Sequence, residues 1–311
     1  MNWPDKALEV LGRESKLVLV TLCQVEGSAP RGAGTKMLIW AGGQFGTIGG
    51  GELEYRLTKA AHKMLSAPAE QPVLADYPLG PVLGQCCGGF VRALLEPLDP
   101  SATDWLVEWA NGETAWATDV LTGEKSSRPA DGSSGAITVL DQEQAVHSNL
   151  MPLEQCRFVV EQPPAPLPPV WVFGAGHIGI ALHAILSRLD VDLRWIDDRK
   201  ALAGQAEYCP DPVQLARTAP DDALIIILTY NHDLDYDLCR AVLSRDNVRL
   251  CALIGSKTKR ARFVTRLKRD GLAQKQIARL TCPAGLPGIG GKHPDEISVA
   301  IAAQILQTIK D

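Results

Sequence analysis

The sequence is short of everything that would mark a nucleic-acid, membrane or secreted protein. Its 311 residues carry a net charge of −5 and a pI near 5.7, so there is no basic footprint for nucleic acid. No apolar run approaches the roughly 18 residues of a membrane-spanning candidate. The first residues interleave Asp5, Lys6 and Glu9 with apolar side chains. That is the pattern of an amphipathic helix and not of a signal peptide, which has a basic start and an apolar centre. No CxxC occurs, and no histidine neighbours the adjacent Cys86 and Cys87, so the usual spacing of a structural zinc site is missing. The other cysteines (Cys23, Cys156, Cys209, Cys239, Cys251 and Cys282) are scattered singly. A chain of this length does not need a disulfide framework, and reduced thiols in the cytoplasm fit best.

What remains is an ordinary soluble composition, 46% hydrophobic and 22% charged, long enough for two cores. The boundary falls at Glu161–Pro169, where five prolines in nine residues favour an extended linker. We therefore divide the chain into residues 1–162 and 163–311. The first part predicts a helix near 3–12, strands at Lys16–Glu26, Thr35–Trp40 and Phe90–Leu95, and a helix from Glu52 to Leu65. Leu53, Leu57, Ala60, Ala61 and Met64 mark that helix's buried face. A helix over 101–111 and strands within 136–160 complete an α+β domain with antiparallel pairing. Thr122–Gly135 reads as a long hairpin or surface loop. The second part alternates apolar strands (Val170–Phe173, Val191–Ile196, Ala223–Thr229, Val248–Ile254) with helices. That alternation predicts a doubly wound, Rossmann-type parallel sheet, so the chain is α/β overall.

Four segments carry candidate chemistry. In Gln85-Cys86-Cys87-Gly88-Gly89, two adjacent thiols sit in a loop that glycines leave open. It reads either as a soft metal ligand or nucleophile, or as a buried pair in a tight turn. Gly46-Thr47-Ile48-Gly49-Gly50-Gly51 runs into a helix, where backbone N–H groups can cradle an anion, or which is simply a tight turn. Arg31 in Ser28-Ala29-Pro30-Arg31 and Glu54 one turn into the helix belong to the same opening. Gly174-Ala175-Gly176-His177-Ile178-Gly179 follows a strand and opens a helix, and Asp197 lies 18 residues beyond its last glycine. This is the context of the dinucleotide fingerprint. Gly174 makes the turn, Gly176 admits a phosphate, Gly179 lets helix and strand pack, and Asp197 or Asp198 can accept a ribose hydroxyl. His177 faces that pocket, while helical His183 packs. His232, past the apolar strand, is either an acid, base or ligand contact, or a helix-start residue with ordinary hydrogen bonds. Finally, the Gly- and Pro-rich segment from Cys282 to Glu296 either closes over a site or is a packed crossover.

Together, GSAPRGAGTKMLI, GTIGGGELEYR, LGQCCGGFV, VFGAGHIG with its IDDR, LIGSKTKRARF and CPAGLPGIGGKHPDEISVAIAAQI resemble, in order, the XdhC/CoxI family of xanthine dehydrogenase accessory proteins. Many relatives carry GGGCxE where this chain has Gly49-Gly50-Gly51-Glu52-Leu53-Glu54, so no thiol acts at position 52. The paired Cys86 and Cys87 fit the xanthine dehydrogenase branch. The resemblance implies an accessory protein and not a turnover enzyme. It would bind the molybdenum cofactor (molybdopterin), hold it while a cysteine desulfurase supplies its sulfido ligand, and deliver it to the molybdenum-binding subunit of xanthine dehydrogenase. It also implies a homodimer. Arg31, the glycines Gly49, Gly50 and Gly51, Glu54, Gln85 and Gly88 then serve the cofactor. Cys86 or Cys87 contacts molybdenum or relays sulfur. The competing reading is an NAD(P)-dependent oxidoreductase built on Gly174, Gly176, His177, Gly179, Asp197 and His232. No hydride-transfer site is evident to support it. A third reading is an interaction module whose Rossmann domain binds nothing.

Overall fold

In the computed structural model the described residues are 3–67, 71–79, 89–112, 114–147, 150–202 and 204–310. The chain divides into two compact units, Met1–Pro166 and Leu167–Asp311, with the division inside the proline run.

The first unit is built on β1 (Leu17–Glu26), a ten-residue strand buried from Leu17 to Cys23. It pairs antiparallel with β2 (Lys36–Trp40) on one side and β5 (Gly89–Leu98) on the other. Two strands that the sequence did not announce, β3 (Gly43–Gly46) and β4 (Val73–Leu79), close the edges to give the order β3-β2-β1-β5-β4. One face packs Val18, Val20 and Leu22 against Leu53, Leu57 and Ala61 of α2 (Gly51–Ser66). Those α2 residues recur at helical spacing, as the periodicity predicts. The other face packs Leu17, Leu19 and Trp40 against α1 (Trp3–Leu11) and α3 (Thr103–Asn111). A second antiparallel sheet contains β6 (Thr114–Asp119), β7 (Lys125–Pro129), β8 (Ile137–Leu140) and β9 (Phe158–Glu161), in the order β7-β6-β9-β8. The stretch from Thr122, read as a long hairpin or surface loop, contains the edge strand β7, which forms a hairpin with β6. Buried ion pairs Lys36–Glu161 and Lys125–Glu96 tie the two sheets together. Such pairs specify registry more than they add stability.

The second unit is the predicted doubly wound sheet. Its strands are β10 (Pro169–Phe173), β11 (Asp192–Asp197), β12 (Glu207–Tyr208), β13 (Leu224–Ile227), β14 (Leu250–Leu253) and β15 (Leu280–Thr281). All pair in parallel, in the order β12-β11-β10-β13-β14-β15. Trp171, Phe173, Ile225 and Ile227 face one core, and Val170, Val172, Leu224 and Ile226 face the other. Both faces are therefore apolar, which is why these strands read as continuous hydrophobic runs. The helices are α4 (His177–Leu186), α5 (Pro212–Ala216), α6 (His232–Leu243), α7 (Lys257–Arg269), α8 (Gln274–Ala278) and α9 (Pro294–Lys310). Strand order reverses across β10 and β13, so a crevice lies at their carboxyl ends, where ligands of such sheets bind. Among the described residues no helix is long and apolar enough to cross a membrane.

Candidate functional site

In the first unit, two absent Cβ atoms bring three motif segments to one corner. A Cβ on Gly49 would stand 2.3 Å from the Pro30 Cβ, and one on Gly89 would stand 2.2 Å from the Ser28 carbonyl oxygen. The Ser28–Arg31 loop therefore lies directly against the glycine turn before α2 and against the first residue of β5. Gly49, Gly50 and Gly51 all have positive φ, at 113°, 73° and 69°, a run that only glycine adopts without strain. Gln85, Cys86, Cys87 and Gly88 lie outside the described residues. Their flanks are fixed, because Leu79 and Gly89 are cross-strand partners of β4 and β5.

The turn is organised by Glu54. Its Oε2 accepts hydrogen bonds from the Thr47 hydroxyl (2.5 Å), the Gly50 N–H (2.9 Å) and the Ile48 N–H (3.0 Å), and its Oε1 accepts one from Gln44 (3.2 Å). Burial works to raise the Glu54 pKa, but these donors outweigh it and hold the carboxyl below its usual range. The carboxylate thus takes two backbone donors of the turn that leads into the helix. Open space remains over Gly50, where an added Cβ would meet nothing within 4 Å. Arg31 is exposed and has no hydrogen-bond or ion-pair partner among the described residues. An open glycine backbone, with an exposed arginine one residue from the Pro30 contact, suits a phosphate or a planar, hydrogen-bonding heterocycle.

In the second unit each fingerprint glycine has a separate steric reason. Gly174 has φ 117°, and a Cβ there would stand 2.4 Å from the Leu228 carbonyl oxygen. A Cβ on Gly179 would stand 2.1 Å from the Gly174 carbonyl oxygen, which also accepts the Trp195 indole N–H at 3.1 Å. Gly176 faces open space. Asp197, at the end of β11, is 4% exposed. It accepts the Ala175 N–H at 2.6 Å, the Arg199 N–H at 2.9 Å and both arms of the Arg199 guanidinium at 2.8 Å. Burial pushes its pKa up, but the guanidinium and the two backbone donors win and hold it below the usual carboxylate range.

Asp198 instead accepts the Tyr230 hydroxyl at 3.2 Å, and the Arg199 guanidinium lies 4.8 Å over the Tyr230 ring. About 10 Å³ is open between Gly174, Asp197, Asp198 and Thr229, close to what a single water needs. His177 and His232 are exposed first residues of α4 and α6. His183 stacks on Trp195 at 4.5 Å. Sequence reasoning missed Asp235 and Lys259, a buried pair 2.5 Å apart just beyond the strand ends. Gly255, four residues before Lys259, makes room for it: a Cβ there would strike the lysine side chain at 2.6 Å. A larger cavity, about 650 Å³, lies by Val73 at the opposite end of β4 from Leu79. Its lining shares no residue with the first unit's glycine turn.

The sequence matches the family model described as the XdhC Rossmann domain over residues 170–305, and that of the XdhC and CoxI family over residues 10–78. A Bacillus subtilis protein, named as a probable subunit of xanthine dehydrogenase, is 23% identical over 97% of this chain and 96% of its own. The Escherichia coli protein YqeB, named as uncharacterized, is 27% identical over 45% of this chain, which spans only 27% of the YqeB length. A solved structure described as a xanthine dehydrogenase from Bacillus halodurans superposes with a TM-score of 0.70 at 22% identity, covering 99% of this chain and 96% of that one. At that identity the superposition speaks to the fold.

Proposed function

The chain belongs to the XdhC and CoxI family, and from that premise we propose that it serves the maturation of a xanthine dehydrogenase as a carrier of the molybdenum cofactor. Its cargo is a phosphate-bearing pterin with a soft, sulfur-ligated metal. Arg31 and the exposed backbone of Gly50 and Gly51 hold the phosphate and pterin, and Cys86 or Cys87 supplies the soft contact to molybdenum. Glu54 keeps the empty turn in shape and gives up the Gly50 N–H when the cargo binds. The carrier holds the cofactor during sulfuration by a cysteine desulfurase, then yields it to the molybdenum-binding subunit of the dehydrogenase. It works as a cytoplasmic homodimer. A carrier must release what it binds, so contacts from an exposed guanidinium and open backbone suit it better than a buried cage.

One observation carries the reading. The Gly49–Pro30 and Gly89–Ser28 contacts place GSAPR, the triple glycine and the anchor of the cysteine loop at one corner of one sheet. Protein purified from cells that make the cofactor should release a fluorescent pterin on oxidation, in near-stoichiometric amount. Release of no pterin from such cells would remove the carrier reading.

A second reading, an NAD(P)-dependent oxidoreductase, is favoured by the geometry of Gly174, Gly176 and Gly179. It requires the crevice beside Gly174 and Asp198 to widen, since it has room for about one water. It also leaves Asp198, not the internally bonded Asp197, to meet a ribose. Quenching of Tyr and Trp fluorescence by NADH at micromolar concentration would support it.

A further inference from the structure

The second unit holds a cationic cavity that the dinucleotide fingerprint does not use. It measures about 470 Å³ and opens between the first turns of α6 and α7, beyond the carboxyl ends of β13 and β14. Lys259, Arg262 and Arg266 line it, with one acid, Asp233. Two of the three cations are already matched. The Lys259 ammonium donates to the Asp235 carboxylate at 2.5 Å and to the Ile254 carbonyl at 3.0 Å, which leaves it one proton to offer. Arg266 lies 3.6 Å over the Tyr236 ring and 3.7 Å from Asp233. Arg262 is left over, exposed, with no ion-pair or hydrogen-bond partner among the described residues.

Two further features bias the cavity toward an anion. The amino-terminal ends of α6 and α7 both border it, and each presents the positive end of a helix dipole. In α6 the Asn231 side chain already accepts the Asp233 and Leu234 N–H groups, so the free donors are those of α7. The Ser256 hydroxyl caps the Lys259 N–H at 3.1 Å, so the earlier N–H groups of α7 and the Thr258 hydroxyl stay available. The site is also built and not incidental. Gly255 has no Cβ to block Lys259, whose Cδ would lie 2.6 Å from one, so the lysine folds across it to reach Asp235. The volume exceeds that of a bare oxoanion and is in the range of small-ligand sites, and Phe263 adds an apolar wall.

We propose that this cavity binds a phosphoryl group, either free orthophosphate or the phosphate of a nucleotide or pterin ester, with Arg262 as its charged anchor. Lys259, Thr258 and the first-turn N–H groups of α7 supply the remaining donors. The assignment stands on the second unit alone and is independent of the cofactor-carrier reading of the first.

The test is calorimetric titration of the full chain with orthophosphate and with AMP, at constant ionic strength in chloride. It compares the wild type with Arg262→Glu and with Arg188→Glu, an equal charge change at an exposed residue just past α4. Loss of one charge-assisted contact should weaken binding about tenfold or more in Arg262→Glu and leave Arg188→Glu unchanged. AMP binding tighter than orthophosphate, with the same loss, identifies an ester as the ligand; equal binding identifies the free ion. No heat with either ligand, equal weakening in both variants, or AMP binding indifferent to Arg262→Glu would overturn the proposal.

Discussion

Two glycine turns, one in each unit, solve the same local problem in different ways. Each leads the chain into a helix, at Gly49–Gly51 and at Gly174–Gly179, and each presents backbone N–H groups that attract an anion. In the first unit the internal anion comes from the same helix: Glu54 sits four residues after Gly50 and remains partly exposed. In the second it comes from a neighbouring strand: Asp197 lies 22 residues from Ala175, is buried, and is itself clamped by Arg199. A local, partly exposed carboxylate can be traded for a ligand at modest cost. A buried, ion-paired one belongs to the core. The first turn is therefore suited to pick up and release cargo, and the second to hold shape.

That contrast can be broken by substitution. The largest effect is expected for Gly174→Ala and Gly179→Ala, whose Cβ atoms would collide with carbonyl oxygens at 2.4 and 2.1 Å. Each should destabilise the second unit by about 3 kcal/mol or more in urea melts. Gly49→Ala strikes a proline side chain in an exposed loop that can yield, so about 2 kcal/mol is expected.

Asp197→Asn should cost about 1–3 kcal/mol, because it discards the charge that satisfies Arg199 and weakens the bond from Ala175. Its folded pKa is depressed. Its contribution is thus complete above the unfolded aspartate value of about 3.9 and is lost as pH falls through the lower folded value. Melts of the wild type should weaken there, and those of Asp197→Asn should weaken less. Glu54→Gln should cost about 1 kcal/mol, with the same sign of pH dependence just below the glutamate range. Gly176→Ala, with φ −80° and open space around it, should change stability by less than about 0.5 kcal/mol. Equal costs for Glu54→Gln and Asp197→Asn would erase the distinction between the two turns.

How much of this was legible in the sequence follows the same line between core and edge. The central strands β1, β5, β10 and β13 were all readable, because burial on both faces forces continuous apolar runs. Of the strands that escaped, β3, β4, β7, β12 and β15 lie at sheet edges, and β6 lies inside the smaller sheet. An edge needs no apolar alternation. It tolerates Pro78 in β4 and the polar Lys125-Ser126-Ser127-Arg128 of β7. At the sites, glycine spacing revealed where the turns are. It did not reveal that Glu54 and Asp197 point inward to their own backbones, since that depends on contacts no local pattern records. The Asp235–Lys259 pair joins two helices 24 residues apart and was invisible for the same reason.

The central claim is that cargo is held at the corner of the first unit. The most direct measurement is titration of purified molybdenum cofactor into the wild type, Cys86→Ala, Cys87→Ala and Arg31→Ala, with NAD(H) titrated in parallel. The expected result is stoichiometric cofactor binding that at least one cysteine variant and Arg31→Ala weaken, with folding unchanged. Absence of cofactor binding together with micromolar NAD(H) binding would contradict the claim and turn attention to the Gly174 crevice.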